Sequence, residues 1–98
     1  MNKVNVDEEW RILIGGEHIS TTDHYDIVDP NTTEIIGHAP EATVEHALAA
    51  AAAAKEALSS WRALSMDERC EYIRKAADAI ESQCEDWVDL VQAETGAT

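Results

Sequence analysis

One stretch sets the terms for the whole chain. Between Ser65 and Gly96, the residues Met66, Cys70, Ile73, Ala77, Ile80, Cys84, Trp87 and Val91 recur at steps of four and three. That spacing holds one face of an α-helix over about seven turns. Ser65-Met-Asp-Glu68 opens the run as a capping box, in which the serine oxygen and the glutamate carboxylate take up free backbone groups of the first turn. Gly96 stands where a helix C-terminal glycine belongs. Asp67, Glu68, Glu71, Lys75, Asp78, Glu85 and Asp89 occupy the other face. The spacing predicts one long helix, or two nearly collinear ones, with a single buried seam. The seam is a structural device and carries no chemistry. It has to be covered by something.

The rest of the chain offers little to cover it. There are 98 residues, no phenylalanine and five aromatic side chains in all, with a tract of alanines at 49–54. Alanine removes little area from water, so at about 25 cal/mol/Å² the core per residue is thin. A chain of this size is expected to lean on a partner or on further chain.

Twenty acidic residues against seven basic give a formal net charge of −13. Nine of the acids lie up to Glu41 and eleven after it, so the excess is a coat and not a tail. Nucleic acid and anionic membrane surfaces are disfavoured as partners, because both need a basic patch. A solvated surface accounts for the charge. Adaptation to high salt, suggested by a lysine count of only three, is the sharper alternative, and stability that grows with salt would favour it. No run of 18 apolar residues predicts a membrane span. The N-terminus turns acidic before any apolar core and does not read as a signal peptide. The expected compartment is the cytoplasm.

In chain order, residues 1–9 read as a flexible lead-in. Trp10–Ile14 and Glu17–Ile19 flank Gly15-Gly16 as a hairpin. Tyr25–Val28 and Glu34–His38 flank the Asp29-Pro30-Asn31-Thr32-Thr33 turn as a second one. These hairpins, at 10–40, are too small to stand alone in water. Thr43 caps a helix starting near Val44, whose inner side is marked by Leu48, Ala51, Leu58 and Trp61. The alanine tract permits close approach of another element. The short link from Arg62 to Leu64 favours an antiparallel helical pair over 43–96, with Trp61 covering the joint. The fold class is thus an α+β fragment: two short β-hairpins, then an antiparallel pair of long helices, all one incomplete domain.

Chemistry is scarce. Gly15-Gly16 leads into a strand and lacks the spacing of a phosphate loop. His18, His24, His38 and His46 form no helical metal pair, and neither cysteine adds a Cys-x-x-Cys knuckle. Asp23 and Asp26 flank His24 and Tyr25 in the pattern of a polar turn. Cys70 and Cys84 lie fourteen residues apart on one helix, about 21 Å, too far for a disulfide. They read as small core residues of the seam. Glu94 is an acid in the last helical turn, where it opposes the helix dipole and wants an arginine, a backbone donor or a cation.

Order and identity together then become familiar. The series Ile12-Leu-Ile-Gly-Gly-Glu17, Asp29-Pro30 with Glu34-Ile-Ile-Gly-His-Ala-Pro40, Ala42-Thr-Val-Glu45, Trp61, Leu64-Ser65, Arg69, Ile73, Ala76-Ala77-Asp78 and Glu94-Thr95-Gly96 resembles the N-terminal part of the NAD(P)-dependent aldehyde dehydrogenase superfamily. The resemblance covers Trp10 to Gly96. It implies a parent enzyme that oxidises an aldehyde to a carboxylic acid with NAD or NADP, through a thiohemiacetal on a cysteine that this chain does not contain. It also implies a homo-oligomer. Cys70 and Cys84 do not match the family's nucleophile motif, so no catalytic or cofactor-binding residue is carried over and the 98-residue chain alone is expected to be inactive. Its partner is expected to be the rest of the aldehyde dehydrogenase chain. Some family members hold a monovalent cation near the Asp-Pro turn. The matching positions here are Ile27 or Val28, through backbone carbonyl, and Glu94, through its carboxylate.

Two positions depart from the pattern the resemblance implies. Thr33 stands where glycine is frequent, which strains the turn if that position needs positive φ. Ala97-Thr98 stands where Lys-Pro is common. A free-standing helical-hairpin interaction module without activity is the rival reading, which four strands do little to favour. An isolated chain is expected to self-associate through its seam.

Overall fold

The computed structural model describes residues 4–97. Of the expected lead-in, residues 1–3 lie outside these. Asn5 to Glu8 form a turn, closed by the Glu8 N–H donating to the Asn5 carbonyl at 3.2 Å and the Asp7 N–H to Asn5 Oδ1 at 3.1 Å. Four strands and two helices follow: β1 (Ile12–Ile14), β2 (Glu17–Ile19), β3 (His24–Val28), β4 (Ile35–Pro40), α1 (Val44–Ala63) and α2 (Met66–Thr95). Two antiparallel strand pairs, β1 with β2 and β3 with β4, precede the two helices. The α+β arrangement is the one the sequence predicts.

Local chemistry fixes the ends of each element. Gly15 and Gly16, at φ 58° and 82°, make the turn of the first hairpin. A Cβ on Gly15 would stand 3.6 Å from Ala53 Cβ, so this turn lies directly on the alanine tract of α1. Thr43 caps α1, but through a partner the sequence did not suggest. The Thr43 N–H donates to His46 Nδ1 at 3.0 Å while the His46 N–H donates to Thr43 Oγ1 at 3.3 Å. Ser65 caps α2 as expected: its N–H donates to Glu68 Oε1 at 3.0 Å and the Glu68 N–H donates to Ser65 Oγ at 3.2 Å. Gly96 ends α2 in the left-handed region at φ 72°, its N–H donating to the Gln92 carbonyl at 2.9 Å. α2 is one continuous helix of 30 residues, about 45 Å long.

At the joint of the helices, the Trp61 and Tyr72 rings stand 5.9 Å apart at 55°, and Lys75 Nζ lies 5.7 Å from the centre of the Tyr72 ring. Beyond the joint, the helices pack on different strands, α1 on β1 and α2 on β3. Burial corrects the sequence reading here. The seam expected to be buried is open: Met66, Ile73, Ile80, Trp87 and Val91 are all exposed. Cys70 and Cys84, expected in the core, are exposed as well. On α1, Leu48, Leu58 and Trp61 are exposed too, and Ala53 under Gly15 is half-buried. Periodicity reports which face is apolar. It does not supply what lies on that face: among the described residues, Val4, Asn5, Glu8 and Trp10 share a cavity with Trp87, and Ile73 and Ile80 remain open.

Among the described residues, Ile36 and Ala93 are the buried hydrophobic side chains, and Thr21 and Asp29 are the buried polar ones. The accessible surface is 7920 Å², where a compact chain of this mass has about 5,500 Å². The radius of gyration is 17.0 Å, against about 12.6 Å for a compact chain of this length. The molecule is a long, thin plate of 49 × 32 × 17 Å.

Candidate functional site

Among the described residues, a well-built corner lies where the second hairpin meets the last turns of α2. Asp29 organises it. Its carboxylate accepts from the Asn31 N–H at 2.8 Å and the Thr32 N–H at 3.4 Å, and its carbonyl accepts from the Thr33 N–H at 2.8 Å. The Asp29 N–H donates to the Glu34 carbonyl at 2.9 Å. This loop forces Thr33 to φ 64°, the left-handed value that its departure from glycine put in question. Gly96 is pressed onto the same turn. A Cβ there would stand 3.0 Å from Pro30 Cγ and 3.3 Å from Asn31 Nδ2. The C-terminus of α2 is therefore seated on the Asp29–Pro30 turn by a residue that has to be glycine on two counts.

Beside that contact, a cavity of about 290 Å³ is lined by Trp10, Arg11, Ile27, Ile36, His38, Ala39, Pro40, Leu90 and Glu94. Ile27 and Glu94, named from the sequence, are thus brought to one cavity. Val28 is not among the lining residues and its side chain is exposed. The β3–β4 register shifts between Ile27 and Val28, where the strand bends into the turn. Among the described residues, no side chain pairs with the Glu94 carboxylate. The nearby Arg11 is already engaged: it donates to Glu9 at 3.1 and 3.2 Å, and Glu9 also accepts from Ser20 at 2.6 Å. These bonds, the one from Arg11 first, hold the Glu9 carboxyl below the ordinary glutamate value and raise the Arg11 guanidinium. His38 Nδ1 meets Asp26 Oδ1 at 2.9 Å, so Asp26 pairs across the hairpin with His38 and not with its neighbour His24.

Ile27 and Glu94 line the same cavity, and carboxylate and carbonyl oxygens are the donor types a hard cation takes. Gly15-Gly16 leads into β2 and presents no helix N-terminus to a pyrophosphate. Among the described residues, no group of three or more His, Cys, Asp or Glu side chains could hold a metal ion, and no helix is long and apolar enough to cross a membrane. Sequence reasoning missed Trp10, Arg11 and Leu90 as lining residues. Trp10 and Arg11 read as strand, yet β1 begins only at Ile12. Leu90 lies beside the seam positions Trp87 and Val91 and could have been found as an apolar residue off the regular spacing.

Comparison with known proteins places this corner in context. The family model described as "Aldehyde dehydrogenase family" matches residues 18–98. A "Probable aldehyde dehydrogenase" of Pseudomonas sp is 33% identical over 87 residues, which is 89% of this chain and 18% of that protein. The 2-aminomuconic semialdehyde dehydrogenase of Danio rerio is 35% identical over 85 residues, 87% of this chain and 18% of that protein. The aspartate-semialdehyde dehydrogenase (non-phosphorylating) of Halomonas elongata is 40% identical over 70 residues, 71% of this chain and 14% of that protein. The chain spans less than a fifth of the length of these curated relatives.

Proposed function

Since the chain belongs to the aldehyde dehydrogenase family, matching it over residues 18–98 as an N-terminal segment, we propose that its role is to complete the scaffold of an enzyme that oxidises an aldehyde to a carboxylic acid. NAD or NADP would supply the hydride acceptor in that parent, bound by family residues outside this chain. The segment by itself is inactive, and the parent is a cytoplasmic homo-oligomer. The observation that carries the reading is the match to the family over most of a chain whose own apolar faces are uncovered. Both helices are capped and formed, yet α2 bares Met66, Ile73, Ile80, Trp87 and Val91. Such a face is what a segment leaves open when a larger body of protein is meant to close it. The rival, a free-standing helical-hairpin module, gives no reason for two strand pairs or for the family match.

Within the scaffold, the corner at Ile27 and Glu94 is the place for a monovalent cation. The carbonyl of Ile27 or Val28 and the Glu94 carboxylate would hold it, and it would neutralise an acid that opposes the α2 dipole. Its part is structural. Potassium should stabilise the full enzyme, and Glu94→Ala should remove that stabilisation. If Glu94→Ala leaves the potassium dependence unchanged, the cation assignment is wrong.

The enzymatic reading is tested by the sequence encoded after Thr98 and by the chain itself. A continuing reading frame with a cysteine nucleophile motif supports it. Aldehyde-dependent reduction of NAD+ by the 98-residue chain alone would overturn the claim of inactivity.

A further inference from the structure

We propose that Glu9 is a positioning residue for the corner at Ile27 and Glu94: it holds the Arg11 guanidinium away from Glu94 and so leaves the Glu94 carboxylate to a monovalent cation. The role rests on a cation binding at that corner, as proposed above. Among the described residues, the cavity of about 290 Å³ is lined by one acid, Glu94, and by two side chains that can carry positive charge, Arg11 and His38. A guanidinium is a strong rival of an alkali ion for a carboxylate, because its fork meets both oxygens at once. Left to itself, Arg11 would fill the site with an internal cation.

Both bases are drawn off by carboxylates that do not line the cavity. Arg11 donates through Nε to Glu9 Oε1 at 3.2 Å and through Nη2 to Glu9 Oε2 at 3.1 Å. This is the two-bond fork that Glu94 would otherwise receive. His38 Nδ1 meets Asp26 Oδ1 at 2.9 Å. Neither Glu9 nor Asp26 is among the lining residues. Glu9 is itself fixed, since Ser20, just past the end of β2, donates to its Oε1 at 2.6 Å. The latch ties the lead-in to the first hairpin, and in doing so sets the charge of a cavity between the second hairpin and α2. Glu94 pairs with no side chain among the described residues. The Arg11–Glu9 pair is half exposed, so removing the Glu9 charge releases the guanidinium without emptying a core.

The test is made on the full enzyme of which this chain is the N-terminal segment. Its thermal unfolding midpoint is followed against potassium, with tetramethylammonium holding the ionic strength at about 0.15 M, where charges beyond about 8 Å are screened. Glu9→Gln should raise the potassium concentration needed for half of the stabilisation roughly threefold, the size of an exposed ion pair. Arg11→Gln should leave that concentration near the parent's. In the Arg11→Gln background, Glu9→Gln should shift nothing, because no guanidinium remains to compete. An equal shift in both backgrounds overturns the proposal, since it would come from lost charge or a disturbed lead-in and not from Arg11. So does a Glu9→Gln enzyme with the parent's potassium dependence. A parent enzyme that potassium does not stabilise, or whose dependence survives Glu94→Ala, overturns the cation site itself and this role with it, which tells the two failures apart.

Discussion

The two ends of α2's environment differ more than its sequence does. At its C-terminus, Ala93 is buried and Gly96 is wedged against Pro30, and Ile36 and Asp29 of the second hairpin are buried as well. Thirteen to twenty residues before Ala93 the helix is equally regular and equally apolar on one face, yet Ile73 and Ile80 stand in the open. The difference teaches that helix formation and helix burial are separate events in this chain. Capping and propensity make the helix everywhere, while packing stabilises only the corner. The corner should therefore behave as the cooperative unit, and the middle of α2 as a formed but unsupported rod.

The largest effect should separate the two regions directly. Ile36→Ala removes a buried side chain from the corner and should cost about 2–3 kcal/mol in urea unfolding. Ile80→Ala, measured where the chain is monomeric, should fall within about 0.5 kcal/mol of the parent. Equal losses would mean that the seam is packed after all. Gly96→Ala comes next. It puts a Cβ 3.0 Å from Pro30 Cγ on a residue at φ 72°, and should cost about 1–2 kcal/mol. The turn on the other side of that contact offers the opposite sign. Thr33 already stands at φ 64°, so Thr33→Gly should raise stability by up to about 1 kcal/mol. Loss of stability on Thr33→Gly would show that the bond from Thr33 Oγ1 to the Thr32 carbonyl, at 2.6 Å, outweighs the strain.

What could be read from the sequence follows the same division. The Ser65–Glu68 box, the Thr43 cap, the Gly15-Gly16 turn and the Gly96 stop depend on neighbours within about four residues, and all four stand where the sequence puts them. His46 was missed because histidine rarely fills the place of Glu or Gln in a capping box. The seam was legible as a pattern and not as a burial state, because burial depends on what lies opposite. At the candidate cation site, Ile27 and Glu94 could be named from resemblance. That Trp10, Arg11 and Leu90 join them depends on how the lead-in crosses the hairpin, which no local signal reports.

The smallest expected effect tests the unsupported end of α2 by pH. The backbone N–H of Ser65, bonded to the Glu68 carboxylate at 3.0 Å, holds that carboxyl below the ordinary glutamate value, with the Ser65 side chain adding to it. A carboxyl lowered in the folded state contributes stability that is fully present above its unfolded value. That contribution is lost as pH falls through the lowered, folded value. Helicity of α2 should therefore fray from its N-terminus in acid below the ordinary glutamate range, while the corner at Ala93 holds. Glu68→Gln keeps a cap acceptor that does not titrate. Its circular dichroism should be nearly that of the parent at neutral pH and should lose less signal on acidification. An acid loss of the same size in Glu68→Gln would remove the capping box as its cause.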